Sequence, residues 1–190
     1  MLDIKYSQLE SKNKEDFLDI QKLVNANLSE PYSVYVYLFF LTIWPKLCFL
    51  AKYYDEKSGK EELIGAIICK LEPHRNARMR GYIGMVAVEP KYRGNGIAKK
   101  LILKSIEKMV QEGADEIMLE TEVVNKAAIS LYENMGFIRT KRLYRYYLNQ
   151  HDAFRLLLPI TERSHVRSGY LNAIGEGNSV NGVGNTDTVI

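Results

Sequence analysis

Gly94 and Gly96 stand in the run Tyr92-Arg93-Gly94-Asn95-Gly96-Ile97-Ala98, and Ile97, Leu101, Ile102, Ile106 and Met109 then recur as one face of a helix. A β-rich segment, Tyr82 to Val88, precedes the loop and is closed by Glu89-Pro90. Strand, tight glycine turn and helix can together bind an anion. First-turn helix amides have no intrahelical acceptor and carry partial positive charge, so they can cradle a pyrophosphate if the backbone approaches closely. Gly94, Gly96 and the small Ala98 allow that approach; an ordinary turn is the alternative. A Walker loop would need lysine and then serine or threonine after its last glycine, where Ile97 stands. A Rossmann fingerprint would need a third small residue at another spacing and an acid about 20 residues later. Neither nucleotide motif fits.

The second chemical feature is a carboxylate inside an apolar strand pattern. Between Ile117 and Val123, alternation puts Met118, Glu120 and Glu122 on one face and Ile117, Leu119, Thr121 and Val123 on the other. An acid among such neighbours is either solvent-facing or functional. Tyr132 offers a phenol that can donate a proton, or a ring that anchors its helix. Cys48 and Cys69 lack the spacing of a zinc or redox pair and read as buried thiols, facing each other if residues 47–71 form a hairpin. His151 and His165 show no metal-ligand spacing, so no metal is expected.

These residues need a scaffold, and the chain punctuates one clearly. Asn13 can cap a helix carrying Phe17, Ile20, Leu23, Val24 and Leu28, which Ser29-Glu30-Pro31-Tyr32 breaks. Ser33 can cap a second, Val34 to Trp44, which reads as buried and is stopped by Pro45. Leu47 to Tyr54 and Leu63 to Leu71 form a hairpin pattern, and Glu72 to Arg80, with His74, Arg75, Arg78 and Arg80, reads as a solvated basic connector. The glycine-loop helix ends at Gly113. A strand Glu116 to Val123, a turn at Asn125, a helix Ala127 to Met135 and strands Phe137 to Tyr144 and Ala153 to Pro159 follow. Strands alternating with helices predict one α/β domain over residues 1–168, followed by a polar, disordered tail over 169–190.

Composition removes other classes. With 46% hydrophobic and 26% charged residues, 190 residues make one globular domain, neither disordered nor disulfide-stapled. A net charge of +3 suits an anionic ligand but falls short of a nucleic-acid binder. Asp3, Lys5 and Glu10 interrupt any leader-like run, and Val34 to Trp44 is well short of the roughly 20 apolar residues a bilayer requires. A cytoplasmic protein without membrane insertion is expected.

Arg93, Gly96 and Ala98 match the arginine-x-x-glycine-x-glycine/alanine motif of the GNAT acetyltransferase superfamily. Asn125, Ala128, Leu131, Tyr132, Gly136 and Phe137 match the asparagine-to-LYxxxGF signature of its N-terminal acetyltransferases. With LSEPYSVYVY from Leu28, EPHRNARMRGYIGMVAVEPKYRGNGIAKKL from Glu72 and DEIMLETEV from Asp115, residues 1–168 resemble the catalytic subunits of NatC complexes. The resemblance implies a GNAT-type α/β domain: a mixed, mostly antiparallel twisted sheet with a splayed central strand pair and flanking helices. It implies acetyl-CoA as cosubstrate, with its pantetheine arm on the backbone of Val86 and Val88 and beside Asn125. The pyrophosphate would lie on Arg93, Gly94, Asn95, Gly96, Ile97, Ala98 and Lys99. Glu120 becomes the base, acting through water with Glu122 as runner-up, and Tyr132 the acid that protonates the departing thiolate. Leu28, Glu30, Pro31 and Tyr32 would form one wall of the acceptor groove, Tyr82 and Tyr146 the others.

The implied acceptors are nascent polypeptide N-termini beginning with methionine and then leucine, isoleucine or phenylalanine, acetylated by direct attack in a ternary complex. Implied partners are NatC-type large and small auxiliary subunits, through which the enzyme would reach the ribosome. Acetylation of lysine side chains or polyamines is the alternative activity. A CoA-binding, ribosome-docking subunit of low activity is the alternative class.

Overall fold

The computed structural model describes residues 3–10, 14–56, 59–75 and 77–165. Asn13, the expected first cap, and the tail expected over 169–190, with its boundary at 168, lie outside those residues.

Seven strands form one sheet: β1 (Ile4–Gln8), β2 (Phe49–Asp55), β3 (Lys60–His74), β4 (Arg78–Val88), β5 (Glu116–Glu122), β6 (Ile138–Leu143) and β7 (Ala153–Pro159), in the order β1-β2-β3-β4-β5-β7-β6. Neighbours run antiparallel except β4 and β5. That parallel step follows from connectivity, because helix α3 (Ile97–Gln111) carries the chain from the end of β4 back to the start of β5. Helices α1 (Lys14–Asn27) and α2 (Val34–Ile43) cover one face of the sheet, where Ile20, Val24, Tyr37 and Phe40 pack against Leu50, Ile68, Met85 and Ala87. Helices α3 and α4 (Lys126–Glu133) belong to the other face, where Ile97, Leu101, Met109 and Tyr132 meet Ile67, Ile83, Ile117 and Leu119. Gly65 of β3 lets α3 lie close: a Cβ there would stand 3.0 Å from Ile97 Cγ2 and 3.2 Å from Leu101 Cδ1. The first turns of α3, and hence the glycine loop, are thereby seated against the sheet.

The β4–β5 pairing is short, covering Arg80↔Glu116, Gly81↔Ile117 and Tyr82↔Met118. Beyond it the two strands splay, as the resemblance implies. A buried ion cluster closes the paired end. Glu116, 1% exposed, accepts Arg78 Nη1 at 2.8 Å and Arg80 Nε at 2.6 Å. Asp115 adds a second tie, its Oδ2 accepting the Met79 amide at 2.8 Å while its own amide donates to the Met79 carbonyl at 2.8 Å.

Several expectations are corrected. Glu72 to Arg80 is not a solvated connector, because β3 continues to His74 and β4 begins at Arg78, and Arg78 is buried against Glu116. Its charged residues conceal a strand because their partners lie across the sheet. The helix Val34–Ile43 is buried only through Tyr37, Phe40 and Leu41, whereas Val34, Tyr35, Leu38, Phe39 and Ile43 face outward. It lies on the sheet's surface, so only one side makes contact. Cys48 and Cys69 are buried and unpaired but do not face each other: Cys48 packs with the α1–α2 side and Cys69 with the α3 side. The register places Phe49 opposite Ile67, and a bulge follows Ile68. Strand β1, polar at alternate positions, was not anticipated; it pairs along β2 from Ile4↔Tyr53 to Gln8↔Phe49.

Candidate active site

Where β4 and β5 part, a cleft of about 340 Å³ opens between them, lined by Ile83 to Val86 on one strand and Leu119 to Glu122 on the other. Splayed strands cannot exchange ladder bonds, so the facing backbone is left for a ligand to pair. Asn125 and Tyr132 line the same cleft, as do Leu28 and Tyr32 from the α1–α2 loop. Val86 is therefore placed as expected. Val88 is not among the lining residues, and its carbonyl accepts Arg93 Nε at 3.0 Å. Asn125 Oδ1 caps α4 by accepting the Ala128 amide at 3.1 Å, which fixes the side chain at the cleft wall.

Past Val88 the chain turns through the glycine loop. Gly94 and Gly96 have φ of +81° and +74°, the left-handed region that glycine enters freely. A Cβ added to either would meet nothing within 4 Å, so the space beside the loop is open. Gly96 caps α3 without a side-chain hydrogen bond, leaving the amides of Ile97, Ala98 and Lys99 as uncapped first-turn donors. Asn95 Nδ2 donates back to the Tyr92 carbonyl at 2.9 Å and stiffens the turn. Arg93 Nη2 reaches Asn27 Oδ1 at 2.7 Å, tying the loop to the end of α1, so its side chain serves as a brace. Open space, uncapped amides and splayed strands together fit the diphosphate and pantetheine of CoA.

Glu120 sits at the centre of this arrangement. Its side chain is 4% exposed and lines both the cleft and a second cavity of about 410 Å³, shared with Lys70, Arg80, Tyr82, Met118 and Tyr146. Oε1 accepts Arg155 Nε at 2.9 Å and Nη2 at 2.8 Å, while Oε2 is buried without a hydrogen bond. Burial, and then the Glu120 charge, push the Tyr82 phenol well above its ordinary range. Burial and then the neighbouring Glu30 charge push Tyr32 up to about 12. Both phenols are thus held in their protonated form beside carboxylates.

Glu122 has other work. Its carboxylate accepts Ser29 Oγ from the α1–α2 loop, Asn149 Nδ2 at 3.2 Å, and contacts His151 Nδ1 at 2.7 Å. Burial acts to raise its pKa, but the bonds from His151, Ser29 and Asn149 outweigh it and hold the carboxyl below its ordinary 4.5. Glu30 Oε1 likewise accepts the Leu148 amide at 2.9 Å. Two carboxylates thus strap the 144–152 segment to the α1–α2 loop. This strap carries Tyr147, which lines the cleft, and Tyr146, which lines the second cavity and packs edge-on against Tyr147 at 5.2 Å. Pro31 is exposed on the loop.

Tyr132 is both core and cleft wall. It is 7% exposed, stacks edge-on with Phe137 at 5.4 Å, and burial raises its phenol above the ordinary 10.0. Burial also pushes the Cys48 thiol up to about 12 and raises Cys69 well above its ordinary value, so neither is a thiolate nucleophile near neutrality. Arg155, Tyr147, Ser29 of the α1–α2 loop and the strap's Asn149 and His151 were missed in the sequence. Arg155 alone carried a signal there, a cation inside the apolar run Ala153 to Pro159 that must find a carboxylate.

The Acetyltransferase (GNAT) family profile matches residues 15–137. N-alpha-acetyltransferase 30 of Saccharomyces cerevisiae is 58% identical over 171 residues, 90% of this chain and 96% of its own length. Human N-alpha-acetyltransferase 30 is 51% identical over 155 residues, 82% of this chain but 41% of the human protein, so the chain spans less than half of that relative. A chain in the crystal structure of the NatC complex bound to Gag peptide and CoA is 59% identical and superposes with a TM-score of 0.81, covering 84% of this chain and 100% of that one. With the splayed sheet, the uncapped glycine-loop helix and this degree of identity in hand, the chain belongs to the GNAT acetyltransferase family and, within it, to the acetyl-CoA-using N-alpha-acetyltransferase 30 family.

Proposed function

We propose that the protein acetylates the α-amine of nascent chains beginning with methionine followed by leucine, isoleucine, phenylalanine or a similar residue, by direct attack in a ternary complex. The observation that carries this reading is Glu120: a buried, arginine-paired carboxylate lying at the junction of a cleft suited to CoA and a second, aromatic-edged cavity. Bound acetyl-CoA supplies an acetyl group already activated as a thioester. Glu120, through water, takes the proton of the substrate's α-ammonium, and the freed nitrogen lone pair forms the new C–N bond as the C–S bond breaks. Tyr132, kept protonated by burial, gives its proton to the departing sulfur. Leu28, Tyr32, Tyr146 and Tyr147 supply an apolar and aromatic setting for a bulky second residue, while Glu30 fixes the strap that holds two of them.

The likeness to a chain of the NatC complex supports work within a complex; on this reading the partners are a large and a small auxiliary subunit, through which the chain would work at the ribosome in the cytoplasm. Two unpaired buried thiols suit a reducing compartment. The test is thiol release from acetyl-CoA by the chain alone and with both auxiliary subunits, across peptides starting Met-Leu, Met-Asp and Ser, an α-blocked lysine peptide, and spermine. Selective turnover of Met-Leu is expected. Preference for lysine or spermine would overturn the acceptor assignment, and no turnover with the subunits present would overturn the enzyme reading.

A further inference from the structure

We propose that Arg155 is a positioning residue of the transfer site, anchoring Oε1 of Glu120 so that Oε2 is left to take the acceptor's proton through water. The inference rests on Glu120 being the proton acceptor. Cross-strand register puts the two residues directly opposite, Glu120 on β5 and Arg155 on β7. Most arginine–carboxylate forks place one donor on each oxygen, which satisfies both. Here Nε and Nη2 both end on Oε1, at 2.9 and 2.8 Å, and Oε2 remains buried without a hydrogen bond. The guanidinium is charged at every working pH and planar, so it supplies a fixed charge and a fixed angle.

The other groups around Glu120 do neither. Tyr82 from β4 comes within hydrogen-bonding reach of the Glu120 carboxylate, and Tyr146 and Tyr147 from the strap feel its charge; all three are neutral phenols that stay protonated beside it. Lys70 and His74 from β3 and Arg80 from β4 line the adjoining cavity, but Lys70 is paired with Glu72 and Arg80 with Glu116. Arg155 is itself 34% exposed, so water reaches its outer side while its inner side holds the carboxylate. It stands beyond residues 15–137, the part of the chain that matches the family profile.

Arg155→Gln removes the charge, and Arg155→Lys returns a charge without the planar fork. In Arg155→Gln, kcat is expected to fall about 10- to 100-fold with KM and acetyl-CoA Kd within twofold, because the carboxylate is no longer held in its reacting position. Arg155→Lys, which can donate to the carboxylate without the planar fork, should restore only part of kcat. Adding Arg155→Gln to Glu120→Gln should cost nothing further. Losses that multiply in the double variant, or a loss carried by acetyl-CoA Kd and not by kcat, would reduce Arg155 to a structural prop. If Glu120→Gln turns over normally, the base assignment falls and this inference with it. If Glu120→Gln is inactive and Arg155→Gln is normal, only the role of Arg155 falls.

Discussion

Glu116 and Glu120 lie four residues apart on the same face of β5, both buried and both paired with arginine, yet they do opposite things. Glu116 accepts from Arg78 on one oxygen and from Arg80 on the other, so its carboxylate is saturated and the β4–β5 junction is locked. Glu120 spends a single oxygen on Arg155, and there the strands have already parted. A buried carboxylate whose bonds are complete is a clamp; one left half-complete beside a cavity is, on the proposed reading, a reagent. The two stand on opposite sides of one splay point, because β4–β5 pairing ends at Tyr82↔Met118.

Four experiments would break or sharpen that contrast. Glu116→Ala leaves two guanidinium groups without their buried partner and should cost about 3–5 kcal/mol of stability, read by chemical denaturation. Retention of wild-type stability would end the claim that this cluster locks the junction. Glu120→Gln should lower kcat about 10³-fold while acetyl-CoA affinity and melting temperature hold, since the amide keeps the shape and loses the proton acceptor. An equal loss of stability from both variants would erase the distinction. Tyr132→Phe should cost about 10²-fold in kcat with little change in folding. Because burial raises the Tyr132 phenol, its protonated, donating form persists as pH rises, and the basic limb should lie above the ordinary 10.0. A basic limb at or below that value would assign the proton to another group.

The smallest effect concerns the strap. Glu122→Gln should weaken it by about 0.5–1.5 kcal/mol for each hydrogen bond lost, seen as faster amide exchange over residues 147–151. The sign with pH follows from the lowered Glu122 pKa: the tie is complete above 4.5 and is lost as pH falls through the depressed folded value. Exchange that stays slow through that range would show that the Glu30–Leu148 bond holds the strap by itself.

Local rules made much of this legible. The glycine loop could be read because positive φ and an uncapped helix start are written in residue type, and Glu120 because a carboxylate in an alternating apolar run is conspicuous. The charged stretch Glu72 to Arg80 misled because partners such as Arg78 and Glu116 are 38 positions apart, so an internal ion cluster has the composition of a loop. Ser29 and Glu122, 93 positions apart, are still less visible. The outward face of α2 was hidden differently, since an apolar helix carries no sign of which side the sheet leaves uncovered.

The sequence by itself determined the alternating elements, the anion-binding turn and the presence of a carboxylate and a phenol able to move protons. These depend on φ preference, side-chain period and intrinsic chemistry, all of which act within a few residues. Only the tertiary structure decided that Glu120 would meet Arg155 and keep an oxygen in reserve, while Glu122 would be consumed in holding a loop. Which carboxylate stays half-bonded depends on strand register and on where two strands part, and those are fixed by packing across the whole sheet.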